Sequence, residues 1–366
     1  MKDKKKINVC FLIPSLKSGG IETYLLRFLN HNKGKIDATV LIRNSSSGEL
    51  YDSYKATGAK IIFRPLGYFN ISAMHWYYRF FKAQKFDTVC DFNANFAGLP
   101  MLLSKFAGVK KRIPFYRQGS DHFKKSRGKQ FYNKLMNRLV YKYSTAILAN
   151  SVAGLEFFFP NEYPKDSRFK VIKNGVAISD YLNNKVTKKE VRKQLELPEN
   201  AFIIGHTGRF TPAKNHFFLL EVVKKLSDQN NNIHLVLIGN DTNQLLPRIK
   251  ELNMLEKCTI LGYKSNIPEY LKAFDLFFFP SVTEGQPNAL IEAMVSGLPI
   301  ATSNIPSIKE CLPIYRQDCL IDPFSVNTTV EKITEIMMIP EKYTYQEFAI
   351  QNFDAEIQFG EFMKNL

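Results

Sequence analysis

The stretch DLFFFPSVTEGQPNALIEAMVSGLPIATS, residues 275–303, predicts one β-α-β unit. Its run LFFF is apolar enough for a buried strand. Pro287 fits the first position of a helix, which is expected to run from Asn288 to Ser296 because a glycine and a proline follow. A second apolar run at 299–303 resumes the strand pattern. Two strands joined through a helix are parallel, so this stretch favours an α/β fold.

The same alternation of short apolar runs and amphipathic stretches occurs throughout the chain, and it starts afresh after the lysine-rich segment 183–200. The predicted strands are 7–13, 38–43, 60–64, 87–92, 112–116 and 146–150 in the first half, and 202–208, 233–239, 258–262, 275–279, 299–303 and 319–322 in the second. Two parallel sheets in tandem are therefore expected. Ligands of such sheets bind beyond the carboxyl ends of the strands, so two facing sheets would form a central cleft.

Length and composition indicate a globular protein. With 366 residues, 45% of them hydrophobic, the chain can fill two cores. Its apolar runs fall far short of the roughly 20 residues that span a bilayer, so no transmembrane helix is expected. The start MKDKKKINVCFLI is interpreted as a buried strand rather than a secretory signal, because Asn8 interrupts the apolar run. Five scattered cysteines without CxxC spacing argue against disulfides or a zinc site and favour a reducing cytoplasm.

Positive charge is concentrated in the first half. Residues 1–180 contain 31 Lys and Arg against 12 Asp and Glu, whereas the remainder contains 19 against 22. The segment 110–142 has eleven basic residues and one acidic residue, interleaved with aromatic side chains. Together with 74–86 it resembles helices that lie on anionic lipid headgroups, although inward packing of the aromatic residues explains 74–86 at least as well. The first half is therefore expected to face an anionic surface and the second half a small ligand.

Two glutamates flank the helix start in the opening stretch. Glu284 lies in the loop after the strand, and Glu292 lies inside the helix. The first-turn amides, those of Asn288, Ala289 and Leu290, are expected to point into the cleft, where a helix start binds anions such as phosphate. Carboxylates accept hydrogen bonds from sugar hydroxyls, so this layout suits a nucleotide sugar. The spacing alone is weak evidence, and it is the position after a strand that favours a binding site.

Arg209 and Lys214 follow the first strand of the second half, on either side of Pro212. Two cations beyond a strand end can hold a diphosphate, each charge-assisted hydrogen bond contributing about 1.5 to 3 kcal/mol. A solvated loop explains the pair equally well by itself. A second anion-binding feature in the same half favours the diphosphate.

Gly19 and Gly20 follow the first strand of the chain, where their lack of Cβ atoms lets a ligand approach the backbone closely. The segment is not GxGxxG, so a dinucleotide fingerprint is absent. The sequence likewise has no GxxxxGK[ST] motif and no Asp-x-Asp pair to hold a metal beside a diphosphate. A metal-free site is therefore expected.

Four segments together resemble the family 4 retaining glycosyltransferases, which have the GT-B fold. They are SGGIET (18–23), VIKNGV (171–176), GRFTPAKNH (208–216) and LGYKSNIPEYLKAFDLFFFPSVTEGQPNALIEAMVSGLPI (261–300). The resemblance covers nearly the whole chain, and the E-x7-E pattern behind an Arg/Lys loop is specific. It implies two Rossmann-like domains facing a cleft. These would be an acceptor-binding domain (1–178), a donor-binding domain (179–344) and a C-terminal helix (345–366) that crosses back to the first domain.

The resemblance also implies roles for the candidate residues. Arg209 and Lys214 would hold the donor diphosphate, and Glu292 would bind the ribose hydroxyls. Glu284 would lie near the hydroxyls of the transferred sugar. Further donor contacts would come from Gly285, Asn288, Ala289, Leu290, Gly262, Tyr263, Gly19 and Gly20.

One position departs from the family pattern. Many members have a histidine near the reacting sugar at the end of the strand that corresponds to 112–116. This sequence has Arg117 there and His122 five residues later. Either side chain could enter the active site, and an ordinary loop position explains His122 equally well.

The implied reaction transfers a sugar, with retained configuration, from a nucleotide diphosphate sugar to a hydroxyl of a glycan or lipid-linked glycan in surface polysaccharide biosynthesis. A UDP-sugar is favoured over a GDP-sugar, and no metal or other cofactor is expected. The leaving phosphate would help to remove the acceptor proton, so Glu284 is not assigned as a nucleophile. The expected location is the cytoplasm, in peripheral contact with the inner membrane face.

Two alternatives stay open. A sugar-nucleotide epimerase shares the fold but needs no acceptor. A nucleic-acid or polyanion-binding protein would explain the basic first half. It would leave the acid-flanked anion site unexplained, so nucleic acid is not expected as a partner.

Overall fold

The computed structural model describes residues 6–44, 47–68, 70–119, 127–183 and 186–366. The chain forms two compact units. The first unit consists of Met1–Asn174 with Ile357–Leu366, and the second of Gly175–Glu356.

The first unit is built on a parallel sheet in the order β3-β2-β1-β4-β5-β6-β7. Its strands are β1 (Ile7–Ile13), β2 (Ile36–Ile42), β3 (Lys60–Phe63), β4 (Thr88–Asp91), β5 (Lys111–Tyr116), β6 (Ile147–Ala149) and β7 (Phe169–Val171). Its helices are α1 (Gly20–His31), α2 (Tyr51–Ala56), α3 (Ile71–Gln84), α4 (Gly98–Phe106), α5 (Arg127–Tyr143) and α6 (Val152–Phe158). Short 3-10 turns join some of these elements.

The second unit has a parallel sheet in the order β10-β9-β8-β11-β12-β13. Its strands are β8 (Phe202–Thr207), β9 (Ile233–Ile238), β10 (Cys258–Gly262), β11 (Leu276–Phe279), β12 (Ile300–Ser303) and β13 (Leu320–Ile321). Its helices are α7 (Ile178–Leu182), α8 (Lys188–Gln194), α9 (His216–Gln229), α10 (Leu246–Glu251), α11 (Ile267–Leu271), α12 (Asn288–Val295), α13 (Pro306–Lys309), α14 (Val326–Met338) and α15 (Gln346–Phe353). A last helix, α16 (Ala355–Asn365), begins at the end of this unit.

The central strands of both sheets are buried on both faces. All residues of β9 and β11 are buried, as are the last five of β1. Parallel strands covered by helices on both faces show such uninterrupted apolar runs rather than an alternating pattern. The predicted α/β architecture with two parallel-sheet domains is confirmed.

Three details differ from the sequence-based expectation. The strand β7 was not predicted, because only three residues pair and a lysine occupies the middle one. Pro287 is the N-cap of α12 rather than its first residue, with extended φ and ψ angles of −78° and 109°. The predicted C-terminal helix is two helices, because Asp354 is extended between α15 and α16.

The end of α16 packs within the first unit. The Phe362 ring lies 4.6 Å from the Phe28 ring, and the Phe359 ring lies 5.5 Å from that of Tyr24. The Thr88 hydroxyl donates a hydrogen bond of 2.6 Å to the carbonyl oxygen of Leu366. The two phenylalanine rings of α16 thus pack against α1, and the last residue of the chain is hydrogen-bonded to β4.

Among the described residues, none of the helices is both long and apolar enough to cross a bilayer. Within the same ranges, His, Cys, Asp and Glu side chains do not form a cluster of three or more suited to a metal ion.

Candidate active site

The predicted donor-site residues of the second unit follow strands on both sides of a topological switch point. From β8 the chain continues through β9 and β10 on one side, whereas β11 pairs with β8 on the other. Loops that leave neighbouring strands in opposite directions open a crevice at the carboxyl edge of the sheet. The segment 208–215 follows β8 and the segment 280–287 follows β11.

Lys214 and Glu284 meet at this edge. The Lys214 Nζ donates to Glu284 Oε1 over 2.7 Å, and the two side chains are 20% and 14% exposed. The same ammonium lies 4.5 Å from the centre of the Phe279 ring, at the end of β11. A cation held between a carboxylate and an aromatic face is well ordered, and it remains reachable from solvent.

The backbone around Lys214 is held from two directions. Lys214 ends a 3-10 turn, and Asn215 follows it in the left-handed region with φ of 55°. The Asn215 side-chain amide donates 2.9 Å to the Pro323 carbonyl, and the Val282 amide donates 2.8 Å to the Ala213 carbonyl. The second bond ties the loop after β8 directly to the loop after β11.

The helix α12 begins without a side-chain cap, because its N-cap residue is Pro287. The first amides of an α-helix have no intrahelical acceptor, and the helix dipole adds partial positive charge there. Leu290 is buried, whereas Asn288 and Ala289 are half-buried. Gly285 is buried in the loop before the helix. This helix start can therefore receive an anion.

Glu292 lies one helical turn after Asn288 and hence on the same face of α12. It is 5% exposed. Its backbone carbonyl accepts hydrogen bonds from both the amide and the hydroxyl of Ser296. The side chain is held on a rigid element, unlike that of Glu284, which comes from a loop.

Arg209 follows β8 and Gly262 ends β10, and hydrogen bonds join the ends of these strands through the end of β9. The Gly208 amide donates 2.8 Å to the Ile238 carbonyl, and the Gly239 amide donates 2.8 Å to the Gly262 carbonyl. A Cβ atom at Gly239 would lie 2.0 Å from the Gly208 carbonyl oxygen, so only glycine permits this approach.

These bonds set the surroundings of the other predicted donor contacts. Arg209, directly after Gly208, is half-buried. Gly262 has a positive φ of 64°, and Tyr263 after it is 41% exposed.

A buried histidine pair beneath Lys214 was missed by sequence reasoning. His206 in β8 and His216 at the start of α9 have ring centres 4.9 Å apart. His206 Nδ1 lies 2.9 Å from the Phe278 carbonyl oxygen, which places the ring proton on that nitrogen. Burial lowers the pKa of His206 well below its usual value, and burial together with the Lys214 charge lowers the pKa of His216 to about 4. Both rings are therefore neutral, and the available signal was one histidine inside the apolar run FIIGHTG.

Gly19 and Gly20 belong to the first unit. Gly19 is the extended N-cap of α1, and a Cβ atom at Gly20 would meet nothing within 4 Å. In the first turn of α1, Glu22 is 6% exposed and accepts 2.8 Å from the Ser15 hydroxyl. The open space at Gly20 leaves its backbone accessible to a ligand.

Arg117 also belongs to the first unit, directly after β5. It is 9% exposed, its guanidinium lies 3.5 Å from the Tyr24 ring centre, and its Nη2 donates 2.5 Å to the Asn174 side-chain oxygen. Burial lowers the pKa of Arg117 to about 10. His122 lies outside the described residues.

Comparison with known proteins relates the second unit to a family. Residues 187–351, all within the second unit, match the family model described as glycosyl transferases group 1. The second unit is a group 1 glycosyltransferase domain. The matched range contains Lys214, Glu284 and the start of α12.

Two sequence relatives extend the comparison. The chain is 29% identical over 340 residues to the capsular polysaccharide biosynthesis glycosyltransferase CapH of Staphylococcus aureus, covering 89% of this chain and 90% of CapH. It is 27% identical over 235 residues to the Escherichia coli UDP-Gal:alpha-D-GlcNAc-diphosphoundecaprenol alpha-1,3-galactosyltransferase. That alignment covers 62% of this chain and 60% of the E. coli enzyme.

Solved structures show the same fold. The crystal structure of Anabaena Alr3699/HepE in complex with UDP and glucose superimposes with a TM-score of 0.82, over 98% of each chain, at 19% identity. WaaG, a glycosyltransferase involved in lipopolysaccharide biosynthesis, gives 0.68 at 15% identity, over 98% of this chain and 95% of WaaG. The likeness confirms the predicted GT-B fold class.

Proposed function

We propose that the chain is a retaining glycosyltransferase that transfers a sugar from a nucleotide diphosphate sugar to a hydroxyl of a glycan or lipid-linked glycan. A UDP-sugar is the favoured donor, ahead of a GDP-sugar. The reaction belongs to surface polysaccharide biosynthesis and needs no metal ion. The observation that carries this proposal is the convergence of Lys214, Glu284 and the uncapped start of α12 at one sheet edge.

The charges at this edge suit the chemistry. When the sugar separates from the nucleotide, negative charge grows on the leaving diphosphate. Fixed donors stabilise that charge most when they are already in place. Arg209, Lys214 and the amides at the start of α12 are such donors, so the diphosphate can leave without a metal ion.

The relatives support the choice of donor and acceptor. The E. coli relative is named for UDP-Gal as its donor and for a diphosphoundecaprenol-linked acceptor, and HepE binds UDP and glucose. CapH is named for capsular polysaccharide biosynthesis. A polymer built on a membrane-bound lipid fits the basic first unit of this chain.

Helix α5 is the proposed membrane contact of the first unit. Tyr132, Met136 and Val140 are buried at i, i+4 and i+8. The opposite face exposes basic side chains together with Phe131, which is 73% exposed; the basic residues are Lys134, Arg138 and Lys142. Each basic residue near an anionic membrane contributes about 1 kcal/mol to binding.

Sedimentation with vesicles tests this contact. We expect the wild type to bind vesicles containing phosphatidylglycerol. Replacing Lys134, Arg138 and Lys142 by Gln should abolish this binding. Equal binding by this variant and the wild type would contradict the role of α5. In α3, by contrast, Tyr77 and Phe81 point inward and are buried, so the second predicted lipid-binding segment packs against the core.

A thermal-shift screen across UDP, GDP and their sugar conjugates tests the donor proposal. A ligand at 100 times its dissociation constant stabilises the protein by about 2.7 kcal/mol. We expect UDP compounds to give the largest shift, and EDTA to leave it unchanged. Isomerisation of a nucleotide sugar without an acceptor would instead identify an epimerase. An absence of any nucleotide response would refute the proposal.

A further inference from the structure

The lysine proposed to bind the donor diphosphate is already paired with a carboxylate. Lys214 Nζ contacts Glu284 Oε1 at 2.7 Å, and both side chains are mostly shielded from solvent. Phe279 covers another side of the ammonium. Water and salt screen a partly buried pair less than a surface pair, so the charge of Glu284 acts strongly on whatever approaches Lys214. An entering diphosphate therefore meets a negative charge beside its cation.

We propose that Glu284 and the diphosphate compete for the Lys214 ammonium, so that the site prefers an intact nucleotide sugar to the nucleoside diphosphate left after transfer. This inference rests on the proposed function. A free nucleoside diphosphate draws Lys214 away from Glu284 and is repelled by the carboxylate. It has no sugar hydroxyl to offer to Glu284 in return.

A nucleotide sugar replaces the partner that Glu284 loses. The hydroxyl groups of the sugar are hydrogen-bond donors, and an ionised carboxylate accepts only. Glu284 can therefore exchange Lys214 for a sugar hydroxyl while Lys214 turns to the phosphate. After transfer the sugar leaves, Glu284 pairs again with Lys214, and the diphosphate loses part of its positive partner. The pair thus favours release of the product nucleotide.

The backbone supports such an exchange. The Val282–Ala213 hydrogen bond holds the two loops together at 2.8 Å. The positions of Lys214 and Glu284 are thus fixed relative to each other, and only the ends of their side chains need to move. Exchange of partners between side chains on a fixed backbone needs no loop closure.

Isothermal titration of UDP and GDP into matched variants tests the competition. Glu284→Gln should bind the preferred nucleoside diphosphate about 3- to 10-fold more tightly than the wild type, because the competing charge is gone. Lys214→Met should bind it about 10-fold more weakly. In the Lys214→Met background, Glu284→Gln should give a smaller gain. The control is Glu256→Gln. Glu256 is an exposed residue of the turn before β10, at the amino ends of the strands. This variant should bind nucleotide as the wild type does.

The outcomes separate this inference from the proposed function. If the wild type binds UDP or GDP but Glu284→Gln binds no more tightly, the competition is refuted and the donor site stands. A gain of full size without Lys214 would also refute it, since repulsion alone would then be the cause. If the wild type binds neither nucleotide, both proposals fail.

A second measurement compares the affinities of sugar conjugates and of the free diphosphate, with the folded wild type as reference. Among sugar conjugates of the preferred nucleotide, at least one should bind the wild type more tightly than the free diphosphate does. In Glu284→Gln this preference should reverse, with circular dichroism showing an unchanged fold. A wild type that prefers the free diphosphate to every conjugate would overturn the inference.

Discussion

The two units carry sheets of the same design but use the charges at their carboxyl edges differently. Strand order reverses between β8 and β11 in the second unit and between β1 and β4 in the first. In the second unit, Lys214 and Glu284 lie in loops and stay partly accessible. In the first, Asp91 at the end of β4 is fully buried, and Arg117 after β5 is 9% exposed. A switch point is therefore not enough to make a charged ligand site.

The difference lies in the segment after each strand. In the first unit, Asp91 Oδ1 accepts hydrogen bonds of 2.8 and 2.7 Å from the backbone and side-chain nitrogens of Asn93. A 3-10 turn, Ala94–Ala97, follows directly after Asn93. In the second unit, the segment 280–287 separates β11 from α12, and its charged side chain faces another loop. At the first edge, the Asp91 carboxylate binds the backbone and side chain of Asn93. At the second edge, the charged side chains remain accessible to a ligand.

The largest expected effect concerns the accessible edge. Arg209→Ala should weaken binding of the preferred nucleoside diphosphate about 10- to 100-fold, because each charge-assisted hydrogen bond to phosphate contributes about 1.5 to 3 kcal/mol. The thermal stability of the unliganded protein should change little, since Arg209 lies in a loop. Isothermal titration and a melting curve measure the two effects.

Arg248→Ala is the matched control for Arg209. Arg248 lies in α10 of the same unit and pairs with Glu221 and Glu251 at the surface. It should bind nucleotide as the wild type does. If Arg209→Ala and Arg248→Ala bind nucleotide equally well, Arg209 is not a phosphate ligand. The proposed difference between the two sheet edges would then lose this support.

The sequence predicts the sheets well because parallel strands are buried on both faces. Runs such as IHLVLI and LFFF are apolar without interruption, so their strands are found within one or two residues of the predicted bounds. The strand β7 escapes because FKV carries no such signal. Strand order and the switch points require long-range pairing, which local patterns do not contain.

The candidate site is predictable only in part. Lys214 and Glu284 were each expected at the donor site, but for different parts of the ligand. Their mutual hydrogen bond joins residues 70 apart in sequence and depends on β8 and β11 being neighbours. The His206–His216 contact depends on the turn that brings the start of α9 back over β8. Such contacts follow from tertiary structure rather than from motif spacing.

A second test asks whether the His216 ring near the carboxyl edge of the second sheet is neutral in the folded protein. The pKa of His216 is lowered to about 4, whereas an unfolded histidine titrates near 6.5. The unfolded chain thus binds the proton more readily, and stability is lost as pH falls from about 6.5 to about 4. The wild type should lose about 2 to 3 kcal/mol more over this range than His216→Gln.

Hydrogen exchange of the β8 amides, followed by mass spectrometry at pH values between 7 and 4.5 and corrected for the intrinsic rate, measures this loss. Lys214 is the charged neighbour, and His206 is the other titratable one. The protection of β8 should fall more steeply in the wild type than in the variant. Parallel profiles would mean that the pKa of His216 is not lowered in the folded protein.

The smallest expected effect has the opposite sign and belongs to the first unit. Burial raises the pKa of Asp91, although the Arg43 charge and the Asn93 hydrogen bonds oppose the shift. For a carboxyl group with a raised pKa, the folded state is penalised at neutral pH, and the penalty disappears as pH falls to the unfolded value near 3.9. Asp91→Asn should therefore raise the unfolding midpoint of the first unit by about 1 to 3 °C at pH 7 and leave it unchanged below about pH 4.

Trp76, the only tryptophan, lies in α3 of the first unit, so its fluorescence reports unfolding of that unit. Asp52→Asn, at an exposed position of α2, is the control for the loss of one carboxylate and should lack the pH-dependent gain. A lower midpoint for Asp91→Asn at pH 7 would mean that attraction to Arg43 outweighs burial. The first edge would then hold a pair of opposite charges, as the second does with Lys214 and Glu284. The two edges would differ only in how far each pair is exposed.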